Sequence, residues 1–326
     1  MINDLVEWDG QYVRCHIYIY DPATERQTLS DPKLILDADG RIVAVLLGRP
    51  EGENWDAVIA ELERLLEGVR LRGLQRGVFK AKHRQHRRGS YFSLADGVTK
   101  GPGQKKPGNL AHSKEYWQLL QLLTLNHSIR RNRRVSNPVS TTTTSSPKLY
   151  KYYCDALGGL FEKRPELQQL FSNSILAAAT WNLGPDVVTA EHEDGLNAPH
   201  GMCGVTSTSD YNHTLSGHIY LKQLKLVIEF PSGSSILIPS AAVAHGNTPI
   251  QKGETRYSMT QYLAGELFRW AAYGCQSAKS LLATTGGAAN KRAFDGEPGA
   301  QAEWVIGLLS KADELEGDRE AVFASS

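Results

Sequence analysis

Apolar and polar residues alternate along residues 12–47 with the period of two that a half-buried strand requires. YVRCHIYIYD alternates first; LILDADGRIVAVLLG then reads as a hairpin whose turn is Asp37-Ala38-Asp39-Gly40. The period changes over 54–71, where Val58, Ile59, Leu62, Leu65, Leu66 and Val69 fall on one face of an amphipathic helix. Residues 72–109 are basic and glycine-rich, end in GPGQKKPGN, and are expected as loop. KEYWQLLQLLTL (114–125) is expected as helix, SNPVSTTTTSSP (136–147) as a flexible low-complexity stretch, and LYKYYCDALGGLFEKRPELQQLF (149–171) as one or two helices.

From residue 175 the pattern becomes a run of short β segments separated by turns: ILAAATWNL, VVTAEHE, GVTSTS, GHIYL, LKLVIEF, SSILIPS and RYSMTQYLA. That is the pattern of a barrel or sandwich. A helix over 266–283, with Phe268 and Trp270 packed on the barrel, a Gly/Ala linker and an amphipathic helix near 301–316 follow. The 326 residues suffice for one large domain with extensions, in four parts. These are a hairpin-and-helix region (1–71), a basic, partly flexible segment (72–147), a β core with flanking helices (148–283), and a linker with a C-terminal helix (284–326).

Charge changes this picture more than composition does. Net charge is +1, yet Arg70 to Arg134 holds 16 Lys/Arg against Asp96 and Glu115, so that stretch is +14 and the remainder −13. Segregation on this scale points to a polyanion partner. Lys82, Arg84, Arg87, Arg88, Lys105 and Lys106 are the candidate backbone-phosphate contacts. Cys15, Cys154, Cys203 and Cys275 are far apart, which supports neither a disulfide framework nor a structural zinc site. No apolar run approaches the roughly 20 residues that span a bilayer, and MINDLVEWDG lacks the signal-peptide pattern. A soluble, intracellular protein is expected.

Three features within the β region carry chemistry. His192-Glu193-Asp194 ends a strand, where residues two apart point the same way and Glu193 points away. His245 follows about fifty residues later in AHGNTP, and Arg256-Tyr257-Ser258 lies eleven residues beyond His245. Two histidines and a carboxylate make the facial triad of non-haem Fe(II) oxygenases, which leaves coordination positions for a chelating co-substrate and O₂. The planar guanidinium of Arg256 suits a carboxylate, with Ser258 on the same strand face.

These residues, and above all GHIYLKQLKLVIEFPSGSSILIPSAAVAHGNTPIQKGETRYSMTQYLAGELFRWAAYG, resemble the TET/JBP group of 2-oxoglutarate dioxygenases, in particular its transposon-associated fungal members. Residues 181–274 carry the resemblance, and ILDADGRIVAVLLGRP and PKLYKYYCDAL resemble the flanking regions. It implies an α+β chain with a double-stranded β-helix (jelly-roll) core, flanking helices and a mixed N-terminal region. It implies Fe(II) on His192, Asp194 and His245, and 2-oxoglutarate on Arg256, Ser258 and His218, with O₂ as co-substrate. Asn197, which lies three residues after the ligand Asp, maps onto a base-contacting asparagine, and Tyr262 onto a tyrosine six residues after the 2-oxoglutarate Arg; Asp210, near the expected mouth, is a second candidate reader of the base, and Tyr262 and His200 are candidates to stack on it. The implied activity is oxidation of 5-methylcytosine or N6-methyladenine in double-stranded DNA by a nuclear monomer.

The sequence also departs from the group. Ala264 stands where animal members have a base-contacting histidine, and GPD (184–186) has an acid where a second 2-oxoglutarate arginine is sought. Two other readings use the same residues. An AlkB-type repair or RNA demethylase would carry an arginine at position 262, which here is Tyr262. A metal-free binding barrel would not need the triad and Arg256 together.

Overall fold

The computed structural model describes residues 33–49, 54–126, 145–171, 174–296 and 300–324, together with three short strands before them. Those strands are β1 (Val13–Cys15), β2 (Ile19–Asp21) and β3 (Arg26–Thr28). The hairpin expected from 12–47 is present as β4 (Lys33–Leu36) and β5 (Ile42–Gly48). The Asp37 carboxylate closes its turn by accepting the backbone N–H groups of Asp39 and Arg41 at 2.9 and 2.8 Å. Helix α1 (Trp55–Gln75) follows, burying Val58, Ile59, Leu62, Leu66 and Val69. Asp56 in its first turn and Arg72 in its last both complement the helix dipole. Residues 127–144, which hold most of the low-complexity stretch, lie outside the described residues.

The stretch expected as loop holds more structure than its composition implies. It contains the short hairpin β6 (Gln85–His86) and β7 (Gly89–Ser90), the eight-residue strand β8 (Phe92–Thr99) and β9 (Gly108–Asn109). β8 pairs with six residues of β10 (Ala178–Leu183), Phe92 opposite Leu183 through Gly97 opposite Ala178. Ser93, Ala95, Asp96 and Gly97 hide its period, because Asp96 is buried and satisfied by the Gly97 N–H and His112 instead of facing water. The 72–147 segment is therefore not separate from the core: it supplies a strand to the main sheet.

Helices α2 (Lys114–Thr124) and α3 (Pro147–Lys163) precede β10. Then come β11 (Cys203–Thr208), β12 (Ile219–Leu221), β13 (Leu226–Ile228), β14 (Ser235–Ile238), β15 (His245–Asn247) and β16 (Tyr257–Tyr262). One sheet has the order β4-β5-β14-β11-β16-β10-β8-β9, the other β1-β13-β12-β15. VVTAEHE, expected as a strand, forms a single bridge at His192, which joins it to β15 in the smaller sheet; Asp186, just before it, bridges to Arg256. The chain thus crosses between sheets after β10, β11, β13, β14 and β15. That path, with antiparallel pairing among β10–β16 and only β1 added in parallel to β13, makes a jelly-roll or double-stranded β-helix.

Both faces of the larger sheet are used. Ala179, Trp181 and Leu183 of β10 and Tyr257 and Met259 of β16 pack outward under α1 and α2. Their alternates Asn182, Ser258, Thr260 and Tyr262 face a cavity between the sheets. Beyond β16 the expected long helix is two, α4 (Gly265–Ala272) and α5 (Ala278–Leu282), and Phe268 and Trp270 pack into the core as expected. The Gly/Ala linker is largely helical, α6 (Gly287–Asp295), and the C-terminal helix is split into α7 (Ala300–Gly307) and α8 (Leu315–Phe323). Among the described residues no helix is long and apolar enough to cross a membrane.

His200 supplies a test of this packing. It is 8% exposed, set among the rings of Tyr152, Phe268 and Trp304, and burial pushes its pKa from 6.5 down to about 4. The unfolded chain binds this proton below pH 6.5 and the folded chain does not. Stability from this group is therefore complete above 6.5 and declines by about 3 kcal/mol as pH falls towards 4. His200→Phe should flatten the acid side of the urea-unfolding profile by that amount. A parent-to-variant difference that stays constant from pH 7 to 4 would refute the buried neutral ring.

Candidate metal centre and anion pocket

His192, Asp194 and His245 converge although fifty residues separate the first two from the third. A reciprocal pair of 3.0 Å backbone hydrogen bonds links His192 and His245. Their rings lie 4.4 Å apart, and His192 Nε2 is 3.6 Å from Asp194 Oδ1. One ligand atom from each of the three residues fits within 4.8 Å of the others. His192 Nδ1 is 2.9 Å from the Ala190 carbonyl oxygen and His245 Nδ1 is 2.8 Å from that of Val243. A carbonyl oxygen only accepts, so each Nδ1 carries the hydrogen and each Nε2 keeps its lone pair for a metal.

Electrostatics favours the same assignment. Burial, and then the neighbouring His245, brings the His192 pKa down to about 4; burial lowers that of His245. Both imidazoles therefore remain neutral donors at physiological pH. Burial pushes the Cys203 thiol up to about 12, which removes it as a thiolate ligand. The Asp194 carboxylate is oriented from two sides. Asn197 Nδ2 donates to Oδ2 at 3.3 Å, and Arg88 pairs with Oδ1. Two neutral nitrogens and one carboxylate oxygen on one face suit a non-haem Fe(II) ion better than the thiolate-rich sites of structural zinc.

The three residues line a cavity of about 280 Å³ that also receives Arg256, Ser258, Asn197, Tyr262 and Arg88. Arg256 is 2% exposed. It donates to the Val187 carbonyl oxygen and Asn247 Oδ1, at 3.2 and 3.3 Å, and has no carboxylate partner among the described residues. Desolvation lowers its pKa. A buried guanidinium without a counter-ion is costly, and an anionic ligand removes that cost. Ser258 Oγ accepts from Asn182 Nδ2 at 3.0 Å, so its own hydroxyl hydrogen can be given to such a ligand.

No protein-family model matches the chain, nor does any curated protein. Among solved structures the chain is similar to NgTET1 in complex with 5mC DNA, with a TM-score of 0.44 and 12% identity over 71% of this chain and 75% of that one. It is also similar to an oxidoreductase of the 2OG-Fe(II) oxygenase family from Burkholderia pseudomallei, with a TM-score of 0.28 and 13% identity over 54% of this chain and 70% of that one.

Other expected site residues are placed elsewhere. His218 is fully buried beside the cavity, its backbone N–H and ring Nδ1 both at Thr248 Oγ1, while Ile219 next to it lines the wall. Asp210 lies outside the cavity: it is exposed, and its backbone N–H and carbonyl both pair with Thr255. His200 also lies outside it and lines a second hollow between α3, α4 and α7. Glu193 points away as expected, accepting from Gln223. Among the basic residues, Lys82, Arg87, Lys105 and Lys106 are exposed. Arg84 is held by both oxygens of Asp186 at 2.9 and 3.1 Å, and Arg88 turns inward to Asp194. Arg88 and Asp194 are 106 positions apart, so no local spacing signals their meeting.

Replacing His192 and Asp194 together with Ala should abolish binding of one equivalent of Fe(II) or Co(II), read by equilibrium dialysis, while circular dichroism is unchanged. Retained stoichiometric binding would place the metal elsewhere. Arg256→Ala should raise the concentration of 2-oxoglutarate needed for half-saturation by about 100-fold, as for removal of a desolvated charge partner. An unchanged requirement would take Arg256 out of the pocket.

Proposed function

We propose that this protein is an Fe(II)- and 2-oxoglutarate-dependent dioxygenase that oxidises methyl groups on bases of double-stranded DNA. The observation that carries the proposal is the meeting, in one cavity, of a two-imidazole, one-carboxylate cluster and a buried arginine without an acidic partner among the described residues. A metal site alone would suit many ligands. Arg256 adds the demand for a carboxylate held at a distance from the metal, and 2-oxoglutarate meets it with a keto-acid end that chelates and a distal carboxylate that pairs.

When bound, iron supplies the oxygen chemistry: one atom of O₂ enters 2-oxoglutarate, which leaves as succinate and CO₂, and the other enters a substrate C–H bond as hydroxyl. The protein's residues do the positioning. Nε2 of His192 and His245 would hold the ion, because their Nδ1 hydrogens are committed to carbonyl oxygens. Arg256 and Ser258 orient the co-substrate. Val205, Ile219 and Ile238 make an apolar wall that limits water beside the reacting centre.

Support for DNA comes from the basic segment and from the resemblance carried by residues 181–274. Arg88 of the β6–β7 hairpin and Lys100 and Gly101 after β8 line the cavity. The exposed Arg87 lies in the same hairpin turn, Lys105 and Lys106 in the same loop after β8, and Lys82 in the short turn just before β6. A base within a duplex must be flipped out to reach such a cavity. Asn197 commits Nδ2 to Asp194, Cys203 and Ser240, which leaves Oδ1 to accept from an exocyclic amine. 5-Methylcytosine and N6-methyladenine carry that amine and thymine does not, so the first two are the proposed substrates. Tyr262 walls the cavity beside Ala264, where a purine gains room. A nuclear location and a monomeric state belong to the same proposal.

Mass spectrometry of methylated duplex oligonucleotides incubated with iron and 2-oxoglutarate should show hydroxymethylcytosine, or loss of the methyl group from N6-methyladenine, with succinate. Succinate in the absence of any oxidised base would reassign the substrate. Neutralising Lys82, Arg87, Lys105 and Lys106 together should weaken DNA binding and flatten the log–log salt slope by about 3 to 4. An unchanged slope would make these residues a solvated surface.

A further inference from the structure

Leu196 is an exposed leucine, and its position gives it a use. It is 61% exposed, and it alone among the exposed large hydrophobic side chains of the described residues lines the cavity that holds His192, Asp194 and His245. It lies two positions after Asp194, so its Cα is within about 7 Å of that of Asp194. A solitary exposed leucine is ordinary on a protein surface. Here the backbone beneath it is immobilised, which an incidental surface residue does not need.

The immobilisation comes from four backbone hydrogen bonds. Asp194 N–H donates to the Ser240 carbonyl oxygen at 2.8 Å and Asn197 N–H to that of Asp194 at 2.8 Å. Ala198 N–H donates to the Leu263 carbonyl oxygen at 2.9 Å, and the Leu196 carbonyl oxygen accepts from Gly265 N–H at 2.9 Å. The turn is thus tied to the ends of β14 and β16 and to the start of α4. Its tip presents a branched apolar side chain to solvent at the rim of the cavity, with Arg88 and Lys100 also at the lining.

We infer that Leu196 is a wedge that enters the base stack of a duplex and fills the space vacated by the flipped nucleotide. An apolar side chain inserted between base steps must be stiffly supported, because it works against stacking free energy, and it must stand beside the pocket that receives the base. Leu196 meets both conditions. It is a positioning residue: it touches the stack and not the reacting atoms. This inference rests on the proposed base-oxidation activity.

The test compares three substrates with one methylated base: a duplex, the same strand alone, and a duplex with an abasic site opposite the methylated base. Leu196→Ala should lower kcat/KM on the intact duplex by about tenfold or more and change the single strand and the abasic duplex by less than about twofold. Leu196→Phe should restore most of the duplex rate. Fluorescence of 2-aminopurine at the target position should rise on binding parent protein and rise less with Leu196→Ala, a readout that needs no turnover. Equal losses on all three substrates, or no loss on any, overturn the wedge while leaving the base-oxidation reading standing. A parent protein that oxidises none of the three overturns that reading itself.

Discussion

Two backbone hydrogen bonds of 3.0 Å, one each way between His192 and His245, hold the segment after β10 against β15. Residues 187–191 form no regular strand, so these bonds and their neighbours take the place of a ladder. Asn247 N–H donates to the Thr189 carbonyl oxygen at 3.0 Å, and Ala190 N–H to that of Arg88 at 2.8 Å. The two rings can meet at one ion only because their backbones are paired. The carboxylate two residues further on then falls on the same side. Everything else in the cavity is arranged around this irregular edge of the smaller sheet.

The cavity's charges are unequal in what they need. Asp194 is answered by Arg88 and by the Asn197 amide. The histidines are neutral, because burial opposes their protonation. Arg256 remains a buried cation with carbonyl and amide acceptors in place of an anion. Such a group weakens the fold relative to an apolar residue of the same size, so stability does not account for its presence.

Much of the site could be read from sequence because its logic is local. The spacing of His192 and Asp194 follows from strand geometry, and Arg256 and Ser258 share a face of β16 for the same reason. The jelly roll could be read because its strands are short, apolar and closely separated by turns. β8 could not: buried Asp96 and three small residues, Ser93, Ala95 and Gly97, mimic a polar loop, and only pairing with β10 makes that segment a strand. Arg88 could not either, because its partner lies in a different part of the chain. Asp210 follows β11, a place that suggests the site, but the strand carries it to the Thr255 end, away from His192, Asp194 and His245. His200 follows the turn after Asn197, but Tyr153 holds that turn by donating to the His200 carbonyl and accepting from Met202 N–H, facing it away from the cavity.

Fold stability and site geometry are coupled through β10 and β16. In β16, Tyr257 and Met259 pack outward while Arg256, Ser258, Thr260 and Tyr262 line the cavity. In β10, Trp181 packs outward and Asn182 inward onto Ser258. The helices α1 and α2 therefore act on the cavity without touching it: they press on the opposite face of the strands that line it. Tyr257 makes the link explicit, since its hydroxyl donates to Glu67 of α1 at 2.6 Å while the residues on either side of it are the proposed carboxylate anchors. Because side-chain direction alternates strictly along a strand, a shift of β16 by one residue against β10 would exchange the two sets, placing Tyr257 in the cavity and Arg256 under the helix. The outward aromatic packing is thus what fixes the register on which the guanidinium's position depends.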